Sequence, residues 1–145
     1  VRATPIQMAM VVAGIANQGN VMKPHLARTL RAPNLQVIEQ IEPVLASEAM
    51  TSADARELTS MMVATVDRGT GRPAKIPGVK VAGKTGTAQS APGRPAYAWF
   101  VGFAPANNPK VAVAVLVEST QDTGDIAGGR LGGPIARAVM EAALR

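Results

Sequence analysis

A chain of 145 residues with 47% hydrophobic residues fits one domain that can bury a core, which excludes wholesale disorder. There is no cysteine, which excludes disulfides and thiolate metal sites, and no apolar run of the roughly 18 residues that a membrane-spanning helix needs. The formal charge is +5, but Lys and Arg are scattered and aromatics are 3% of residues, so the clustered, aromatic-interleaved basic surface of a nucleic-acid binder is missing and no nucleic-acid partner is expected.

Residues 4–17 read as a helix. Thr4 is a natural N-cap, Pro5 sits where a missing N–H costs nothing, Gln7 completes a capping box and Gly19 supplies a stop. Met8, Met10, Val11, Val12, Ala13 and Ile15 make this helix apolar nearly all round, so it is expected to be buried. Its start follows directly on Val1-Arg2 with no signal-peptide pattern before it, which reads as a portion of a longer sequence. Residues 23–43 read as extended and irregular. A short strand pair is expected there between residues 26–30 and Val37, Ile38 and Ile41, around an Ala32-Pro33-Asn34 turn.

A second helix is predicted over residues 52–68, started by Thr51 and Asp54 and stopped by Gly69, with Leu58, Met61, Met62 and Val66 as its core-facing stripe. Residues 69–78 read as a loop. Three strand-like runs follow, at 79–88, 97–104 and 111–117, the last two joined by a hairpin connection over 105–110. Tyr97, Trp99, Val101 and Phe103 share one face of the second run. The third is apolar on both faces, as expected of a central strand covered on both sides. A glycine-rich stretch, 124–133, leads into a last helix that begins at Pro134 and covers the sheet with Ala136, Met140, Ala143 and Leu144. The order gives an α+β fold, an antiparallel sheet flanked by helices.

The segment Val-Ala-Gly-Lys-Thr-Gly-Thr-Ala-Gln, residues 81–89, admits two readings. From Gly78, the letters GVKVAGKT fit a phosphate loop. That loop needs a buried strand before it and a helix directly after it, so that helix and loop N–H groups cradle phosphate. Here Arg72, Pro73 and Pro77 precede it, its own body is β-branched and alternating, and Gly86, Pro92, Gly93 and Pro95 would break a following helix. From Lys84, Lys-Thr-Gly-Thr is a motif of penicillin-recognising serine enzymes. On a strand beside a cleft, Lys84 offers a fixed positive charge, and the Thr85 and Thr87 hydroxyls can donate to a substrate carboxylate. Gly86 lets substrate approach the backbone, and the Thr87 N–H can face a developing oxyanion.

The flanking segments 4–26, 81–89 and 98–118 together resemble class B penicillin-binding proteins, most of all the actinobacterial penicillin-binding protein A type. The resemblance runs collinearly over nearly the whole chain. It implies a β-lactamase/transpeptidase-like fold with a five-stranded sheet. It also implies a peptidoglycan D,D-transpeptidase that acylates a serine with a stem peptide ending in D-Ala-D-Ala, passes the acyl group to an amine, and is trapped by β-lactams. It assigns Lys84 and Thr87 as catalytic and Lys84, Thr85, Gly86 and Thr87 as substrate-binding, with Lys84, Thr85 and Thr87 on the substrate carboxylate and the Thr87 N–H in the oxyanion hole. No cofactor and no metal are implied. Membrane anchoring on the extracytoplasmic face is implied, with the anchor outside this chain, as are roles in cell division and cell shape.

The family also requires Ser-x-x-Lys and Ser-x-Asn. The serines are Ser47, Ser52, Ser60, Ser90 and Ser119, and none has Lys three residues on or Asn two residues on. Residues 1–145 are therefore expected to be the C-terminal portion of one transpeptidase domain, whose N-terminal half brings both motifs and the remaining strands. A β-lactam-sensing receptor domain and a serine β-lactamase share the same motif and remain alternatives, with the nucleotide binder more remote. His25, the one histidine, lacks a metal-binding or triad partner and reads as structural. Tyr97 and Trp99 read as packing residues that could also border the cleft. Asp122 and Asp125 read as a solvated loop rather than a calcium site.

Overall fold

The computed structural model describes residues 2–89, 96–118 and 128–145. Helix α1, Pro5–Ala16, starts on the expected capping box: Thr4 Oγ1 accepts from the Gln7 N–H at 3.3 Å and Gln7 Oε1 from the Thr4 N–H at 2.8 Å. The chain then leaves through Gln18 and Gly19, both at positive φ. Burial of α1 is narrower than its composition predicts. Val12 and Gly14 are buried, but Ile6 is 59% and Val11 51% exposed, because the described residues cover only part of the helix surface.

Four short strands follow. β1 (Asn20–Met22) pairs antiparallel with β4 (Leu45–Glu48), and β2 (Thr29–Arg31) with β3 (Val37–Gln40). The second pair is the expected one shifted by a few residues: Leu26 is fully exposed outside it, and Ile41 adds only a hydrogen bond to the Arg28 carbonyl at 3.0 Å. The turn forms as read, with the Leu35 N–H donating to the Ala32 carbonyl at 2.8 Å.

Helix α2 (Ser52–Arg68) is capped by Thr51, whose Oγ1 accepts from the Asp54 N–H at 3.2 Å. Its buried face is Ala55, Met62 and Val66. Met61, expected on that face, is 54% exposed, since it lies a helical step away from the Ala55–Met62–Val66 line. Residues 69–78 are less loop-like than expected. They hold a short 3₁₀ helix, Arg72–Ala74, and bury Ala74 and Ile76 in the core.

The main sheet has the order β5 (Ala82–Ala88), β6 (Tyr97–Ala104), β7 (Val111–Glu118), antiparallel throughout. Among the described residues β6 is the middle strand and β7 an outer one, so any further neighbour that would make residues 111–117 central lies outside them. Both faces of β7 are nonetheless covered, by α1 and α3, and that cover explains its two-sided apolar pattern.

Helix α3, Gly128–Ala143, begins six residues before the expected start, and Pro134 lies inside it at the expense of one ladder hydrogen bond. Ala136 and Met140 are buried and Leu144 packs on the core as expected, whereas Ala143 is exposed. The core divides into two clusters. Phe100, Ala104, Val113, Ala136 and Met140 lie with Val66, Ala74, Ile76 and Val81 in one. Phe103 and Ala82 lie with Val12 and Met62 in the other.

Candidate functional site

Residues 82–88 run as a regular strand paired residue by residue with 97–103, from Ala82 opposite Phe103 to Ala88 opposite Tyr97. A phosphate loop would curl and enter a helix here, so the nucleotide reading is excluded by geometry. Among the described residues β5 pairs only with β6, and its other edge is unpaired.

Packing beneath β5 fixes its position. Phe100 is fully buried, and its ring lies so close to Gly83 that a Cβ there would overlap it. The first turns of α3 pack on this same Phe100 face through glycines at 128, 129, 132 and 133, all of them buried. A Cβ at Gly128 would overlap the Trp99 carbonyl and come within 2.5 Å of the Gly86 carbonyl, while one at Gly132 would meet Phe100 Cβ at 2.9 Å. Gly128 and Gly132 therefore let the helix lie close on the sheet, and Gly129 and Gly133 let it lie close on Thr70 and on Pro73 and Ala74.

The result is a hollow of about 540 Å³ along the β5 edge. Lys84, Thr85, Gly86 and Thr87 line it on the strand side, Thr70 at one end, and Gly128, Gly129 and Arg130 on the helix side. All four motif residues predicted from sequence thus come together. Thr70, the glycine turn and Arg130 were not anticipated. Thr70 lies 15 residues from Thr85, which leaves no local signal, and low helix propensity hid the glycine turn. Tyr97 and Trp99 do not line the hollow, and of the described serines, Ser47, Ser52 and Ser60, none does either.

Lys84 is exposed, and its ammonium folds along its own strand to donate to the Thr85 carbonyl at 2.6 Å. The Thr85 and Thr70 hydroxyl oxygens are 2.7 Å apart. Among the described lining residues are two cationic side chains, Lys84 and Arg130, which suit an anionic ligand. No group of three His, Cys, Asp or Glu that could hold a metal converges among the described residues. His25 lies elsewhere, on a mainly apolar groove beside α1 and β1. Asp122 and Asp125 lie outside the described residues.

Residues 1–141 match the family described as the penicillin binding protein transpeptidase domain. The chain belongs to this transpeptidase family. It is 44% identical, over its full length, to the peptidoglycan D,D-transpeptidase PbpA of Mycolicibacterium smegmatis, of which it covers 30%. It superposes on penicillin-binding protein A of M. tuberculosis, solved as a ceftriaxone acyl-enzyme complex, with a TM-score of 0.87 and 43% identity, covering 98% of this chain and 32% of that one. The D,D-transpeptidase domain of a peptidoglycan glycosyltransferase from Eggerthella lenta gives a TM-score of 0.80 at 34% identity, covering 99% and 33%. The mixed helical and antiparallel architecture is that of this family's transpeptidases. This family member spans about a third of the length of those relatives.

Proposed function

We propose that this chain is the C-terminal portion of the transpeptidase domain of a peptidoglycan D,D-transpeptidase, and that it supplies the substrate-gripping wall of the active site. The observation that carries this reading is the β5 edge that no described strand pairs with, along which Lys84, Thr85, Gly86 and Thr87 line a hollow together with Arg130. The substrate class is a stem peptide ending in D-Ala-D-Ala, with β-lactams as mimics.

In this reading Lys84 and the hydroxyls of Thr85 and Thr87 hold the terminal carboxylate by charge-assisted hydrogen bonds. Gly86 leaves room for the peptide to lie against the strand. Backbone groups of alternate residues in a strand point to the same edge, so the Thr87 N–H shares the edge of the Thr85 carbonyl that Lys84 caps. That edge would receive the scissile carbonyl, and the N–H would stabilise the oxyanion as it forms.

The attacking serine, in Ser-x-x-Lys, and the Ser-x-Asn helper come from the N-terminal half of the domain. Serine Oγ bonds to the penultimate D-Ala carbonyl carbon, the peptide C–N bond breaks, and terminal D-Ala leaves as the amine with the serine proton. An acceptor amine then takes the acyl group and returns the proton to serine. The enzyme is anchored in the cell membrane facing outward, serves cell-wall assembly in division and shape, and is an antibiotic target.

Labelling with a fluorescent penicillin tests the reading. The intact protein is expected to form a covalent adduct that persists through denaturation, and the isolated chain none. Labelling of the pure isolated chain would sink the assignment of the nucleophile to the N-terminal half. Rapid spontaneous loss of the label from the intact protein would mark a β-lactamase instead.

A further inference from the structure

Thr70 stands where three elements meet. It follows Gly69, which ends α2, and the Gly69 and Gly71 N–H groups both donate to the Thr65 carbonyl, at 3.1 and 3.0 Å. That turn fixes the Thr70 backbone. From the other side Gly129 of α3 lies so close to the Thr70 carbonyl that a Cβ there would overlap it, and the same Cβ would meet Thr85 Cγ2 at 3.2 Å. Thr70 is thus clamped between α2 and α3, with its Oγ1 2.7 Å from Thr85 Oγ1 on β5.

A hydroxyl has one proton to give and two lone pairs to accept with. If Thr85 donates to Thr70, its proton is spent within the protein. If Thr70 donates to Thr85, the Thr85 proton is left for a ligand in the hollow, and accepting one hydrogen bond makes Thr85 a stronger donor in the next. We infer that Thr70 is a positioning residue for ligand binding: it donates to Thr85 and so aims the Thr85 hydroxyl at the carboxylate of the bound peptide or β-lactam. This inference rests on the transpeptidase reading of the same hollow. Thr70 acts through Thr85, so it serves capture of the carboxylate and leaves the acyl-transfer step to other groups.

The experiment uses the intact protein that contains this chain, with penicillin G as ligand and a fluorescent penicillin as competitor. The pre-acylation dissociation constant and the acylation rate constant are measured separately. Thr70→Val keeps the shape and removes the hydroxyl. It should raise the dissociation constant about fivefold to tenfold and leave the acylation rate constant within about twofold. Thr70→Ser should restore wild-type binding. Thr70→Ala carries the same expectation as valine, should the branched side chain disturb the turn. In a Thr85→Val background, Thr70→Val should add nothing, because its effect passes through Thr85. An unchanged dissociation constant, a loss confined to the acylation rate, or full additivity with Thr85→Val would overturn the inference. Absence of any labelling in the wild-type protein would instead overturn the transpeptidase reading.

Discussion

Along one side of the main sheet β5 carries Lys84, Thr85, Gly86 and Thr87, while β7, at the opposite side, carries Val111, Val113, Val115 and Val117. The backbone hydrogen-bonding groups on the two outer edges are equivalent, so side chains decide what each edge can receive. β7 is apolar on both faces and covered by helices above and below, as in a strand with neighbours on both edges. Left open, such an edge invites unwanted strand pairing. β5 exposes a lysine and places a glycine where a ligand backbone would lie, which discourages a stray strand and admits a short anionic peptide. One edge is shaped for a ligand, the other for further sheet, which in the proposed protein comes from the N-terminal half.

The comparison breaks most visibly at Lys84. In the intact protein Lys84→Ala should lower the rate of penicillin acylation by about 10²- to 10³-fold, the scale for losing a preorganised charged donor, with the melting temperature nearly unchanged. A loss under about threefold would mean that the β5 edge does not grip the carboxylate. Gly128→Ala tests what backs that edge. The new methyl group has nowhere to go between Trp99 and Gly86, and calorimetry should show a loss of about 3 kcal/mol together with weaker penicillin binding.

The β7 edge is sharpened by hydrogen exchange over residues 111–118. In the isolated chain, amides at alternate positions should exchange quickly, because only every second residue faces β6. In the intact protein the fast set should slow by about a hundredfold. Equal protection in both samples would show that β7 needs no further strand. The smallest effect is expected far from either edge. Thr51→Ala removes the cap of α2 and should cost about 1 kcal/mol while leaving acylation kinetics as they were.

Much of this contrast was written locally. The alternation in residues 97–104, the two-sided apolar run at 111–117 and the Thr51–Asp54 start signal each rest on neighbouring residues, and each appears where expected. The position of β7 at the outside of the described sheet was not legible, because composition reports how well a strand is covered and not which strands lie beside it. The exposed Ile6 and Val11 on α1 follow the same logic: an all-apolar helix announces that it will be covered, without saying by which part of a protein. The β1–β4 pair joins three- and four-residue strands more than twenty residues apart, too short for a periodic signal. At the site, the four motif residues were readable as a linear string. Thr70 and the α3 turn were not, since they reach Thr85 and Gly86 only through tertiary packing.

The glycine face of α3 also bears on the order of assembly. Four of its first six residues are glycine, each less favourable in a helix than alanine by about 0.8–1 kcal/mol, so this stretch has little tendency to coil by itself. Its helical form depends on the platform of β5 and β6 already being in place. The floor of the hollow is then among the last parts of the chain to acquire its shape during folding, and among the first to be lost when the sheet loosens.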